Sequence, residues 1–268
     1  MRNLHLTIAY DGTAYAGWQI QSKATTVQGV LKEKIQFLFG DEIWIGGSSR
    51  TDSGVHALDQ QVTIHVPDAP LIAVDDLQRA LEKLLPDDIR LQTVLEAPEG
   101  FHVRHDTHGK AYTYLLHDGT LQSPFAGRYS WAIRHPLDLD AMNEAAPLLL
   151  GTHDFTTFST TTRNNEQPDP VKTLYRFEIQ RVGPFIMLTV VGTSFLYRMV
   201  RRLTGFMVAI GKGRLQPDQT AALLAAKNRN AGFETAPPQG LFLDRVFYDQ
   251  EPMLAYRRTT LPFMDGLA

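Results

Sequence analysis

The stretch Ser48-Ser49-Arg50-Thr51-Asp52-Ser53-Gly54-Val55-His56-Ala57 sets a carboxylate two residues from a guanidinium inside a run of small polar residues. Apolar, strand-like segments flank it. One reading is an exposed turn in which Asp52 and Ser53 cap backbone N–H groups. The chemical reading is a carboxylate presented at a strand end, with Gly54 letting another backbone or a ligand come close. A second concentration of charge is Tyr197-Arg198-Met199-Val200-Arg201-Arg202, which opens an otherwise apolar segment. Arg198, Arg201 and Arg202 stand at i, i+3 and i+4, one face of a helix. That face is a solvated basic surface, a cationic rim over a cleft, or a source of a partner for Asp52. A guanidinium beside a carboxylate favours the charged form that nucleophilic catalysis requires. Tyr112 and Tyr114 alternate along a strand and share a face, either as core packing or as a platform on which a nucleobase can stack.

Other chemistries find no support. The chain of 268 residues has no cysteine, which removes thiolate nucleophiles, disulfides and Cys-ligated metals. It contains no Walker A loop, no G-x-G-x-x-G, no G-x-S-x-G and no H-E-x-x-H. His102, His105 and His108 are spaced three apart, but Arg104 sits among them and no carboxylate cluster joins them, so no metal is expected. With 43% hydrophobic and 21% charged residues and a mean hydropathy of -0.19, the composition is that of a soluble globular protein. The N-terminus alternates like a strand and lacks the apolar run of a signal peptide, and no segment approaches the roughly 20 apolar residues of a membrane helix. A cytoplasmic protein without membrane association is expected. Net charge is -3 and the pI about 6.3, which alone argues against a nucleic-acid binder unless arginines are locally concentrated.

The elements that must position these residues can be read from periodicity. Strands are predicted at 4–10, 60–66, 89–95, 111–117, 129–133 and 241–248, with a hairpin of 174–181 and 185–192 turning at Gly183-Pro184. The segment 60–66 alternates as a half-buried strand. A helix opens at a capping box, Thr25-x-x-Gln28, with the stripe Val27, Leu31, Ile35 and Leu38, and stops at Gly40. Further helices are predicted at 75–85, 138–150 (kinked or shortened by Pro147), 194–210 and 217–226. The loop 154–170 is a candidate mobile contact surface, and the tail after Asp249 is expected to be loosely held. The fold class is α+β: two similar α/β lobes with mixed, largely antiparallel sheets flanking a central cleft. Expected boundaries are 1–106, 107–248 and a tail at 249–268.

Taken together and in order, these segments resemble the tRNA pseudouridine synthase A (TruA) family. Its hallmark G-R-T-D-A-G-V-H-A is matched by Ser49–Ala57 at seven of nine positions. Around it lie Tyr10-Asp11-Gly12, Gly17-Trp18-Gln19, Val27-Gln28, Phe101-His102-x-Arg104 and Tyr112-x-Tyr114. Further on come Gly151-x-His153-Asp154-Phe155, Met199-Val200-Arg201 with Gly205, and Gly240-Leu241-Phe242-Leu243. The departures are Ser49 for Gly, Ser53 for Ala and Phe242 where Tyr is common; Ser49 would matter if the backbone there needed positive φ.

The resemblance implies a pseudouridine synthase fold and isomerisation of uridine to pseudouridine at positions 38, 39 and 40 in the anticodon stem-loop of tRNA. It implies a homodimer and no cofactor or metal. Asp52 is the implied nucleophile, Arg201 its partner, and Tyr112 the ring on the target base, with a part in proton transfer. Arg50 is implied to wedge into the stem as the nucleotide leaves it, and His56 to brace the loop. Arg198, Arg202, Arg163 and Lys172 are implied to meet phosphates. Addition at C1′, addition at C6 and a glycal route all use one carboxylate, and the sequence does not choose among them. The rival enzyme reading is a nucleoside hydrolase or glycosidase pairing Asp52 with a second acid such as Asp11. The rival outside enzymes is an RNA-binding module that has lost catalysis.

Overall fold

A computed structural model describes residues 1–119, 123–161 and 168–264. The fold is mixed α/β with mostly antiparallel strands, and the chain divides into two compact units, Met1–His108 with Leu243–Tyr248, and Gly109–Phe242 with Asp249–Ala268.

In the first unit, β1 (Arg2–Tyr10) lies between β4 (Ile89–Glu96) and β3 (His56–Val66), antiparallel to both. β10 (Leu241–Phe247) follows β3 in the sheet, and β2 (Trp44–Gly47) also pairs with β3. The alternation in β1 is genuine: Leu4, Leu6, Ile8 and Tyr10 are buried and the residues between them only partly so. α1 (Val27–Phe39) buries Val27, Leu31 and Ile35 and packs against β2 and α2 (Val74–Leu84), which packs in turn on β4. The cap of α1 is Thr26, one residue later than predicted, whose hydroxyl accepts the Gly29 N–H. The segment 60–66 belongs to a longer strand that is buried almost throughout, not on one face. Both of its sides are covered, so its polar residues must find partners inside.

In the second unit, β5 (Gly109–Asp118), β9 (Phe185–Gly192), β8 (Val171–Val182) and β7 (Gly151–Asp154) run in that order, antiparallel, and β6 (Trp131–Ile133) joins β5 in parallel. The 138–150 segment forms α3 (Leu139–Ala145) and then a 3-10 turn carrying Pro147, as the missing N–H requires. α4 (Met199–Gly211) is buried over nearly its whole surface and packs on α3; α5 (Gln219–Ala226) follows. α4 starts five residues later than predicted because Arg198, at φ 59°, is left-handed and breaks the helical path.

The expected contact loop and the tail both carry buried anchors. Phe155 and Phe158, at the start of the 154–170 loop, are fully buried and pack edge-on to one another; Phe158 also packs edge-on to Phe206. The middle of that loop, including Arg163, lies outside the described residues. The described part of the tail, residues 250–264, is docked, not loose. α6 (Gln250–Ala255) buries Met253, and Arg176 and Gln180 of β8 donate to the carbonyls of Leu254 and Arg258.

Candidate active site

In the first unit, the segment between β2 and β3 carries Arg50 and Asp52, and His56 opens β3. Ser48, Ser49 and Thr51 are buried, Arg50 is exposed and Asp52 is half-buried. The Val55 N–H donates to the Asp52 carbonyl at 3.1 Å, closing a turn in which Gly54 takes φ 77°, a conformation that a side chain would strain. The loop following β1 is laced to this turn. Trp18 N–H donates to the Thr51 carbonyl at 3.1 Å, the Tyr10 and Thr51 hydroxyls lie 2.8 Å apart, and the Ser53 hydroxyl donates to the Tyr15 carbonyl at 3.2 Å. From the other side, buried Gln60 of β3 bonds to Ser48 and Ser49. The carboxylate is therefore carried on a short turn tied at several points. Ser49 is not among the residues with positive φ, so its replacement of glycine requires no strain.

His56 is 1% exposed and its Nδ1 accepts the Gly12 N–H at 3.1 Å, the bracing role expected of it. Asp11, also 3.1 Å from that nitrogen, uses the same Oδ1 to accept the N–H and hydroxyl of Thr13, capping its own turn. As a second catalytic acid, Asp11 is poorly disposed, because those local donors already hold it in place.

In the second unit, Tyr112 of β5 is 7% exposed, with its ring edge-on to Phe195 at 5.0 Å between centroids. The ring is thus packed on the segment that leads into α4. Tyr114 is core: it is fully buried and donates its hydroxyl to the Pro237 carbonyl at 2.7 Å. Burial pushes the Tyr114 hydroxyl well up, and the nearby Arg201 charge pulls it back in part. Arg201 is half-buried, and its Nε donates to the Ala236 carbonyl.

The three arginines of the basic segment do not form one face. Arg198 precedes the helix, is exposed and lies over the Tyr197 ring at 4.9 Å. Arg202 is 6% exposed and donates to the carbonyls of Phe233, Thr157 and Arg229 while lying over the Phe233 ring at 4.3 Å. The expected phosphate contact at Arg202 is therefore corrected: its guanidinium ties α4 to two loops. Spacing could not show this, since the carbonyls come from distant segments. Lys172, near the start of β8, donates to the carbonyls of Asp169 and Val171. His102 and His105 rings lie 4.5 Å apart, and among the described residues no three potential ligands are grouped to hold a metal ion. No described helix is long and apolar enough to cross a membrane.

Sequence reasoning missed Gln60, whose signal was its place in a run of three polar residues, Asp59-Gln60-Gln61, between Leu58 and Val62 of one strand. It also missed Ala236, which carries no signal, since only its main chain acts.

The family model described as tRNA pseudouridine synthase matches residues 6–106 and 145–249. The chain is 37% identical over 248 residues to the tRNA pseudouridine synthase A of Thermoanaerobacter sp. (strain X514), covering 92% of this chain and 100% of the relative. It is 38% identical to the protein of that name from Brevibacillus brevis, with the same coverage of both chains. The Thermotoga maritima protein of that name is 35% identical over 249 residues, again 92% of this chain and 100% of the relative.

Proposed function

From the premise that this chain belongs to the tRNA pseudouridine synthase family, and so is an isomerase that turns uridine into pseudouridine in tRNA, we propose that its targets are positions 38, 39 and 40 of the anticodon stem-loop. The reaction breaks the N1–C1′ bond, turns the uracil while it stays bound, and forms C5–C1′. N1 gains a proton and C5 loses one, so atoms balance without a redox partner.

We further propose the residue roles. Asp52 supplies the carboxylate that drives glycosidic cleavage, and Arg201 pairs with it, keeping it charged and aimed. Tyr112 stacks on the uracil and takes part in moving the C5 proton. Arg50 fills the space that the extruded nucleotide leaves, and its exposure next to a rigid turn suits that task. Arg198 and Lys172 meet phosphates, and Arg163 is assigned the same task on the resemblance alone. The protein works in the cytoplasm as a homodimer with one tRNA across both subunits. Local arginines then overcome a net charge of -3.

The single observation that carries the residue assignment is the tethered turn that offers Asp52 half-buried beside an exposed Arg50. The test of the substrate assignment uses tRNA transcripts with uridine at one of the three positions and cytidine at the other two. Carbodiimide mapping after incubation should place pseudouridine at each. Modification elsewhere in the tRNA would refute the site assignment, and release of free uracil would favour a hydrolase.

A further inference from the structure

Gln60 is 0% exposed and sits at the centre of β3, yet its side chain is directed at the main chain that leads into the Asp52 turn. Its Oε1 accepts the Ser49 N–H at 3.2 Å and the Ser48 hydroxyl at 3.0 Å. Its Nε2 donates to the Ser49 carbonyl at 2.8 Å. The carboxamide thus satisfies both polar groups of one peptide residue, as a neighbouring strand would. Ser49 immediately precedes Arg50 and stands three residues before Asp52. At this point β2 has ended: its last pair with β3 is Gly47–Val62, followed by one bond from Ser48 N–H to the Gln61 carbonyl. Gln60 replaces the ladder just where the chain leaves the sheet to form the turn.

We propose that Gln60 is a positioning residue for the isomerisation: its carboxamide fixes the Ser49 peptide and through it the placement of Asp52. The inference rests on the assignment of Asp52 as the reactive group. It has a chemical signature. A neutral glutamic acid at position 60 has the same shape as glutamine and keeps all three bonds, with its O–H donating to the Ser49 carbonyl. An ionised glutamate cannot donate, and at a fully buried position it sets two acceptors against each other. A misplacement on the order of 1 Å can cost about 100-fold in rate.

The experiment measures kcat and tRNA affinity of wild type, Gln60→Glu and Gln60→Met across pH, each rate taken relative to wild type at the same pH. Gln60→Met should lose about 100-fold in kcat at every pH with tRNA affinity within about threefold of wild type. Gln60→Glu should approach wild type at the acid end. Its rate should fall towards that of Gln60→Met as the pH rises, with affinity and the circular dichroism spectrum unchanged. A Gln60→Glu profile parallel to that of wild type, or affinity and fold lost together with rate, overturns the proposal. Should Gln60→Met not fold, the Gln60→Glu profile decides alone. Absence of pseudouridine with the wild-type protein would instead refute the functional reading.

Discussion

Arg201 and Ala236 are joined in both directions: the Arg201 Nε donates to the Ala236 carbonyl at 2.7 Å, and the Ala236 N–H donates to the Arg201 carbonyl at 3.1 Å. The second bond anchors the 234–236 segment to α4, and the first turns the guanidinium by one fixed edge. Lysine at this position keeps the charge but not the planar fork. Arg201→Lys should fold normally and lose about 100-fold in kcat, measured by single-turnover pseudouridine formation; wild-type turnover would separate Arg201 from catalysis.

Gly205 lets the same segment approach. A Cβ built there would lie 1.8 Å from the Glu234 carbonyl oxygen, a main-chain atom that cannot step aside alone. Gly205→Ala should cost roughly 1–3 kcal/mol in chemical denaturation. It should also lower activity by shifting Ala236 and, with it, Arg201. Unchanged stability would show that the segment relocates freely.

Tyr112→Phe removes one hydroxyl and leaves the ring against Phe195. Fold and tRNA affinity should be retained, while the rate of C5 proton release falls by about 100-fold. Identical kinetics would leave Tyr112 a stacking surface only.

Arg198 and Arg202 should separate cleanly. Arg202→Met strips three carbonyls of their donor inside the protein, a loss on the order of 3 kcal/mol, and should lower Tm while leaving the salt dependence of tRNA binding unchanged. Arg198→Ala should leave Tm within a few degrees and reduce the slope of log Kd against log salt by about 0.7–0.9. The reverse pattern would reinstate Arg202 as the phosphate ligand.

How much of this could be read from sequence depends on the range of the forces involved. The alternation of Leu4, Leu6 and Ile8, the β8–β9 hairpin at Gly183-Pro184 and the break at Pro147 are local and were all legible. The face of α4 was not, because it depends on where the helix begins, and Arg198 departs from helical geometry for reasons its neighbours in sequence do not supply. By residue type and spacing Arg202 is like Arg198 and Arg201; Phe233, Thr157 and Arg229 make it structural, and none is near in sequence. The docking of the tail is of the same kind, since its partners are Arg176 and Gln180. In the site, Arg50, Asp52 and Gly54 were legible as a motif. The ties that hold them (Tyr10, Trp18, Gln60) are long-range contacts of ordinary residue types.

Asp118 gives a pH-dependent contribution to stability. The hydrogen bonds from Arg181, at 2.8 and 3.0 Å, hold its carboxyl below the usual range, and the Leu137 N–H adds to this. A carboxylate whose folded pKa is depressed stabilises the fold above its unfolded value, about 3.9. That contribution disappears as pH falls through the folded value. Asp118→Asn should therefore lose on the order of 1 kcal/mol at neutral pH, a difference that closes in acid. A difference constant over that range would show that charge is not involved.

The account turns on the Asp52 carboxylate, and tRNA carrying tritium at uridine C5 tests it most directly, because only substitution at C5 frees the label. Wild type should release tritium in step with pseudouridine formed, while Asp52→Asn binds the same tRNA with similar affinity and releases none. Tritium release by Asp52→Asn at the wild-type rate would contradict the account.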